Sequence, residues 1–148
     1  MSSATGHHVC RAAEGTAYDW SNDSVRILSA ARCSEGALTL VEDTLKAGFV
    51  LPRHHHRRMT ETFYCLDGEA VFLFDDEQVT IGVGDVVTVP PRVHHGVASS
   101  GGARLLTIFT PGGFDRYLAE VADLVARAAD DPAALIEIGH RYDIWPDD

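Results

Sequence analysis

The sequence predicts an all-β fold, a sandwich or a barrel, followed by a short helical tail. Three observations carry this. From Tyr18 onward, short apolar runs recur between turn residues at regular spacing, as in packed antiparallel strands. No stretch of helical period interrupts them before residue 113. Beyond it, apolar residues recur at helical spacing.

Residues 1–15 are small and polar and are expected to form a flexible N-terminal arm. "SVRILSAA" and "ALTLVEDTL" read as strands separated by "CSEG". "ETFYCL" and "AVFLF" flank Asp67-Gly68, which reads as the turn of a hairpin joining them. "QVTI" follows Asp75-Asp76, "DVVTVP" follows "GVG", "HHGVA" precedes "SSGG", and "ARLLTIFT" ends the series at Pro111. The count is about eight or nine strands. In the tail, Phe114, Tyr117, Leu118, Val121, Leu124, Val125 and Ala128 share one helical face. Asp130-Asp131-Pro132 offers an N-cap and a proline at the first helical position, and Leu135, Ile136 and Ile138 belong to a second short helix. Both apolar stripes are expected to pack on the outside of the barrel, with a dimer contact or a lid over its mouth as alternatives. The chain therefore divides into an arm (1–15), a barrel (16–112) and C-terminal helices packed on the barrel (113–148).

A length of 148 residues suits one domain with its own core. The net charge of −10 argues against nucleic acid or an anionic membrane as partner, since phosphate contact needs clustered Lys and Arg. Three cysteines without a CxxC do not suggest a disulfide framework. With no apolar leader and no run of membrane-spanning length, a cytoplasmic protein is expected.

The stretch "LPRHHHRRMTETFYCLDGE" carries the chemistry. In an extended strand side chains alternate, so His54 and His56 point one way and His55 the other. A turn at "RRMT" would bring a second strand back beside the first and place Glu61 near the two imidazoles. In "VPPRVHHGV", Val93, His95 and Val97 share a face, which two valines mark as interior; His94 points outward. His54, His56, Glu61 and His95 together suit one divalent transition metal (Fe, Ni, Mn, Co, Cu or Zn) rather than calcium. Phe63 and Cys65 share the Glu61 face and, with Phe72 and Val97, are the expected substrate pocket. Arg53, Arg57 and Arg58 read as a charged turn or as an attractor for an anionic substrate.

The motif residues give a family resemblance. Gly48, five residues, His54, one residue, His56, four residues, Glu61, six residues and Gly68 reproduce the first cupin motif at every defined position. Gly84, Pro90 and His95 resemble the second motif, with Arg92 where glycine is usual and Ser99 in place of asparagine. The likeness runs roughly from Gly36 to Pro111. It implies an antiparallel jelly-roll (double-stranded β-helix) barrel holding a metal on His54, His56, Glu61 and His95, with His94 the alternative to His95. "TPGGFDRYLAEV" resembles the segment after the barrel in small quercetin-dioxygenase-like cupins. Cupins often pair through outer strands, so the resemblance also implies a homodimer as an expectation.

The resemblance implies a metal-dependent enzyme acting on an enolisable or phenolic small molecule, favoured as a dioxygenase, with Glu61 as ligand, catalytic base or both. A redox-neutral polyketide cyclase or isomerase using the metal as a Lewis acid is the first alternative. A non-catalytic ligand-binding cupin is the second.

Overall fold

The computed structural model describes residues 6–127 and 130–147. Ala128 of the expected helical stripe, residues 1–5 of the arm and residue 148 lie outside that range. In chain order the strands are β1 (Ala17–Asp19), β2 (Asp23–Ser29), β3 (Thr39–Leu45), β4 (Phe49–His55), β5 (Thr60–Gly68), β6 (Ala70–Leu73), β7 (Gln78–Ile81), β8 (Val86–Val89), β9 (His95–Ser99) and β10 (Ala103–Thr110). Helices α1 (Phe114–Ala126) and α2 (Pro132–Arg141) come next, then a short strand β11 (Trp145–Pro146). One sheet runs β1-β2-β3-β10-β5-β8 and the other β11-β4-β9-β6-β7. Every pairing is antiparallel. The two sheets form a jelly-roll with its side chains meeting inside. No described helix is long and apolar enough to cross a membrane.

Alternation builds the walls. In β10, Ala103, Leu105, Thr107 and Phe109 are buried while Arg104 and Thr110 are exposed. In β5, Glu61, Phe63 and Cys65 are buried, and Tyr64 between them is exposed. This period of two turns each strand's apolar residues toward one core.

Two expected hairpins are not formed. β5 and β6 do not pair: β5 lies between β10 and β8, and β6 between β9 and β7. Gly68 adopts a left-handed φ of 74°, and a Cβ there would fall 2.4 Å from the Gly102 carbonyl oxygen. Its lack of a side chain thus serves close approach to β10, beside a bulge in the β5–β10 register, while the chain crosses to the other sheet. Likewise β4 and β5 belong to opposite sheets, so "RRMT" is a crossing and not a hairpin turn. A paired turn does form at Asp75-Asp76, where Leu73 faces Gln78.

Two departures from the motif are accommodated. Arg92 takes the left-handed φ of 70° that glycine would supply, and its N–H donates to the His56 carbonyl at 2.6 Å. Ser99 donates through Oγ to the Glu69 carbonyl at 2.7 Å.

One apolar cluster, including Phe63, Cys65, Phe72, Val97 and Leu105, fills one part of the barrel. A second, around Val25, Val41, Met59, Phe109 and Leu118, is covered by Phe114, Tyr117 and Ile144 from the tail. Helix α1 is seated by Phe114 stacked on Phe109 at 4.0 Å and by Asp115, which accepts from Ala31 N–H and Thr39 Oγ1. The expected stripe is buried only at its start: Leu118 is covered, whereas Val125 is exposed. In α2 Asp131 caps Ala134 N–H as the sequence predicts, and Ile138 is buried, but Leu135 and Ile136 face solvent. Instead of lying along the barrel throughout, the tail returns through β11 to pair with His54 and His55 of β4. The sequence pattern does not announce that strand.

Candidate metal centre

Four buried side chains converge from both sheets. His54 and His56 come from the end of β4 and the residue after it, Glu61 from the start of β5, and His95 from β9, where it pairs in register with His54. One donor atom of each lies within 4.8 Å of the others. The imidazole centroids are 5.1, 4.4 and 5.5 Å apart.

The hydrogen bonds fix which nitrogen faces the centre. The Nδ1 atoms of His54, His56 and His95 sit 2.9, 2.9 and 3.0 Å from the carbonyls of Pro52, Asp143 and Val93. A carbonyl only accepts, so each Nδ1 carries the proton and each Nε2 is left for the interior. Glu61 Oε1 lies 3.0 Å from His56 Nε2 and 3.2 Å from His95 Nε2. With Nδ1 protonated, those contacts need a positive charge between carboxylate and imidazole, either a proton on Nε2 or a cation. Three inward Nε2 atoms and one carboxylate fit a divalent transition metal by donor type.

The comparisons with known proteins agree with this geometry. A cupin-domain family model matches residues 41–109, the stretch from β3 to the end of β10 that contains all four side chains. This stretch of the chain is similar to the cupin-domain family. The chain is 28% identical over 99 residues to the quercetin 2,3-dioxygenase of Bacillus subtilis, covering 66% of this chain but only 29% of that enzyme's length. KdgF from a Halomonas species superposes with a TM-score of 0.67 at 18% identity, over 75% of this chain and 99% of that one. An RmlC-like cupin from Shewanella frigidimarina gives 0.65 at 23% identity, over 74% and 96%. At such identities the structural likeness speaks for the fold.

The electrostatics of the cluster favour a bound cation. Burial alone would raise the Glu61 pKa, but hydrogen bonds from His56 and His95 and their charge bring it down to about 2. Burial, then the neighbouring His95, pushes His54 down to about 4, which keeps it neutral. Burial also works against charge on His56, yet its hydrogen bond to Glu61, the Glu61 charge and the Asp143 carbonyl leave it raised.

A cavity of about 390 Å³ opens from the cluster. Phe63 and Val97 line it, together with Val41, Leu105, Phe109 and Tyr117. Cys65 and Phe72 do not. Both are fully buried behind the wall, where Phe72 packs edge-on against Phe63 at 4.7 Å and Cys65 donates to the Asp67 and Gly68 carbonyls. The expected pocket is corrected accordingly: the bulge and sheet crossing after Cys65 carry that end of β5 out of the cavity. Arg53 reaches the cavity mouth and pairs with Asp75 and Asp147. Arg57 lies over the Trp145 ring, with its guanidinium carbon 3.5 Å from the centroid.

Two groups of the site escaped sequence reasoning. Asp143 is buried and accepts from the backbone N–H groups of Arg57, Arg58 and Met59 at 2.7, 2.8 and 2.8 Å, so it holds the crossing between His56 and Glu61. Asp23 and Asp43 line the apolar cavity side by side on β2 and β3, and Asp43 Oδ1 is buried without a hydrogen-bond partner among the described residues. The one signal for Asp43 was its place in "TLVEDTL", at the interior parity of Val41 and Leu45.

Burial, then the neighbouring Asp23 and the more distant Glu61 charge, holds the Asp43 carboxyl far above the usual range. A carboxyl raised in this way contributes stability that is complete below about pH 4 and is lost as the pH climbs toward about 9. Asp43→Asn is therefore expected to raise stability at pH 8 by roughly 2 kcal/mol. It should also flatten the decline of Tm between pH 5 and 9, as thermal melts across that range would show.

Proposed function

We propose that this protein is a cupin and a metal-dependent enzyme acting on an enolisable or phenolic small molecule, and that it works as a dioxygenase. The observation that carries the reading is a buried three-histidine, one-glutamate cluster opening into a cavity walled by aromatic and aliphatic side chains. The similarity to a quercetin 2,3-dioxygenase, whose name states quercetin and a dioxygenation, supports the choice of reaction. His54, His56, His95 and Glu61 would hold the ion, which would supply Lewis acidity and, if redox-active, electron transfer to O₂.

The remaining work falls to the chain. Phe63 and Phe109 give flat faces for an aromatic or conjugated ring, and the apolar wall keeps bulk water from the reacting atoms. Glu61, ionised and within hydrogen-bond reach of two imidazoles, is placed to accept a hydroxyl or α-carbon proton from a ligand in the cavity.

A second reading, a redox-neutral cyclase or isomerase, is favoured by the Asp23 and Asp43 carboxyls, which give the same cavity an acid separate from Glu61. Oxygen consumption by iron- or nickel-loaded protein with a panel of flavonols and poly-β-ketones distinguishes the two. Substrate-dependent uptake is expected. Turnover of a poly-β-ketone at an undiminished rate under argon, without uptake in air, would replace the dioxygenase by the cyclase.

A further inference from the structure

We propose that His55, His94 and Asp147 form a second divalent-metal site on the outer face of the barrel, which clasps the C-terminal segment onto the ligand-bearing strand. These are the histidines left over from each run: strand alternation turns His54 and His95 inward and His55 and His94 out. The three side chains come from distant segments, namely β4, the loop before β9 and the residue after β11. One ligand atom from each lies within 4.8 Å of the other two. Nitrogen and oxygen donors on one zinc-sized ion sit about 3–4 Å apart, so closing the set takes only a small side-chain movement.

Two further observations separate this cluster from a chance grouping of surface charges. His55 Nδ1 is buried yet has no hydrogen-bond partner among the described residues, an arrangement that folded proteins rarely leave in place. The His55 and His94 rings also stack with centroids 4.2 Å apart, which holds both imidazoles beside the carboxylate. Asp147 Oδ1 lies 2.6 Å from His94 Nδ1, while its other oxygen accepts from Arg53 Nε at 3.2 Å. The carboxylate is thus oriented from one side by an arginine and presents its second oxygen to the histidines. Two imidazoles and a carboxylate suit zinc, nickel or copper and not calcium.

The position gives the site a role. Asp147 lies just past the β11 residues Trp145 and Pro146, which pair with His55 and His54. Asp143, earlier on the same segment, holds the crossing after His56. An ion between His55, His94 and Asp147 fastens that segment to β4 and to the loop before His95, and so steadies both approaches to the inner cluster.

Equilibrium dialysis of the whole chain against Zn²⁺, with metal analysis afterwards, tests this directly. His94→Ala and Asp147→Asn are each expected to bind one ion fewer per chain than the unaltered protein, because each removes a ligand group from a set of three. Equal zinc content in His94→Ala and the unaltered protein overturns the proposal. A His54→Ala/His56→Ala double variant reads the inner cluster separately and is expected to keep the outer ion. Hydrogen exchange supplies a second readout. Zn²⁺ should slow exchange at residues 144–147 in the unaltered protein and in the double variant, but not in His94→Ala. Exchange there that is indifferent to Zn²⁺ in all three proteins also overturns it.

Discussion

Replacing Asp143 by alanine is expected to cost about 3 kcal/mol of stability and to weaken metal retention, although this carboxylate does not belong to the inner cluster. Asp143 accepts from three successive backbone N–H groups, those of Arg57, Arg58 and Met59, and from Trp145 Nε1 at 3.1 Å. Alanine leaves those donors without their partner in a part-buried crossing, where the Met59 N–H is buried, and an unpaired buried donor costs more than a typical hydrogen bond contributes. A second cost is conformational. Asp143 sits at a φ of 69°, which alanine tolerates poorly, and its own carbonyl orients His56 Nδ1. Asp143→Gly separates the two effects, since glycine keeps the backbone angle and removes only the carboxylate. Urea melts of the two variants, with metal content measured on the same samples, check this. Melts superimposable on the unaltered protein's would show that the clamp contributes nothing. Burial opposes ionisation of Asp143, but the backbone donors prevail and lower its pKa. Its stabilisation is therefore present above about pH 4 and fades as the pH falls below that.

Glu61→Gln is expected to lower turnover by roughly a hundred- to ten-thousand-fold while much of the metal stays bound, if the carboxylate is the proton acceptor. Glutamine keeps an oxygen donor of similar reach but cannot hold a proton as a base. The three inward Nε2 atoms are untouched by the change. One readout does not depend on turnover. In the metal-free protein Glu61 sustains the raised His56 pKa against burial, so its neutral replacement should let His56 titrate at lower pH, visible by histidine NMR. Full turnover in metal-loaded Glu61→Gln would remove the base role and leave Glu61 as a ligand alone.

The candidate cluster was legible because strand alternation is local. His54, His56 and Glu61 declare themselves by spacing, and His95 by the valines on either side of it at the same parity. Strand existence was legible for the same reason. Pairing was not, because hydrogen-bonded neighbours such as β3 and β10 lie far apart in the chain. Asp67-Gly68 shows the limit: a glycine needed for close approach and a sheet crossing carries the same letters as one needed for a hairpin. Cys65 shows a related limit, since parity put it on the Glu61 face but could not say that this end of the strand passes behind the cavity wall. Asp143 left no trace at all. It acts on a segment more than 80 residues earlier through its own side chain, and nothing around it in the sequence marks an acceptor of three amides.

The tail strand has a bearing on biosynthesis. When a ribosome has translated as far as β10, every side chain of the inner cluster has already been made, and the jelly-roll pairs can zip. The loop after His56 nevertheless stays unfastened until residues 143–147 emerge and dock. Ion capture should accordingly trail barrel closure during translation, and a nascent chain arrested between β10 and α2 should fold its sheets yet hold its cation poorly.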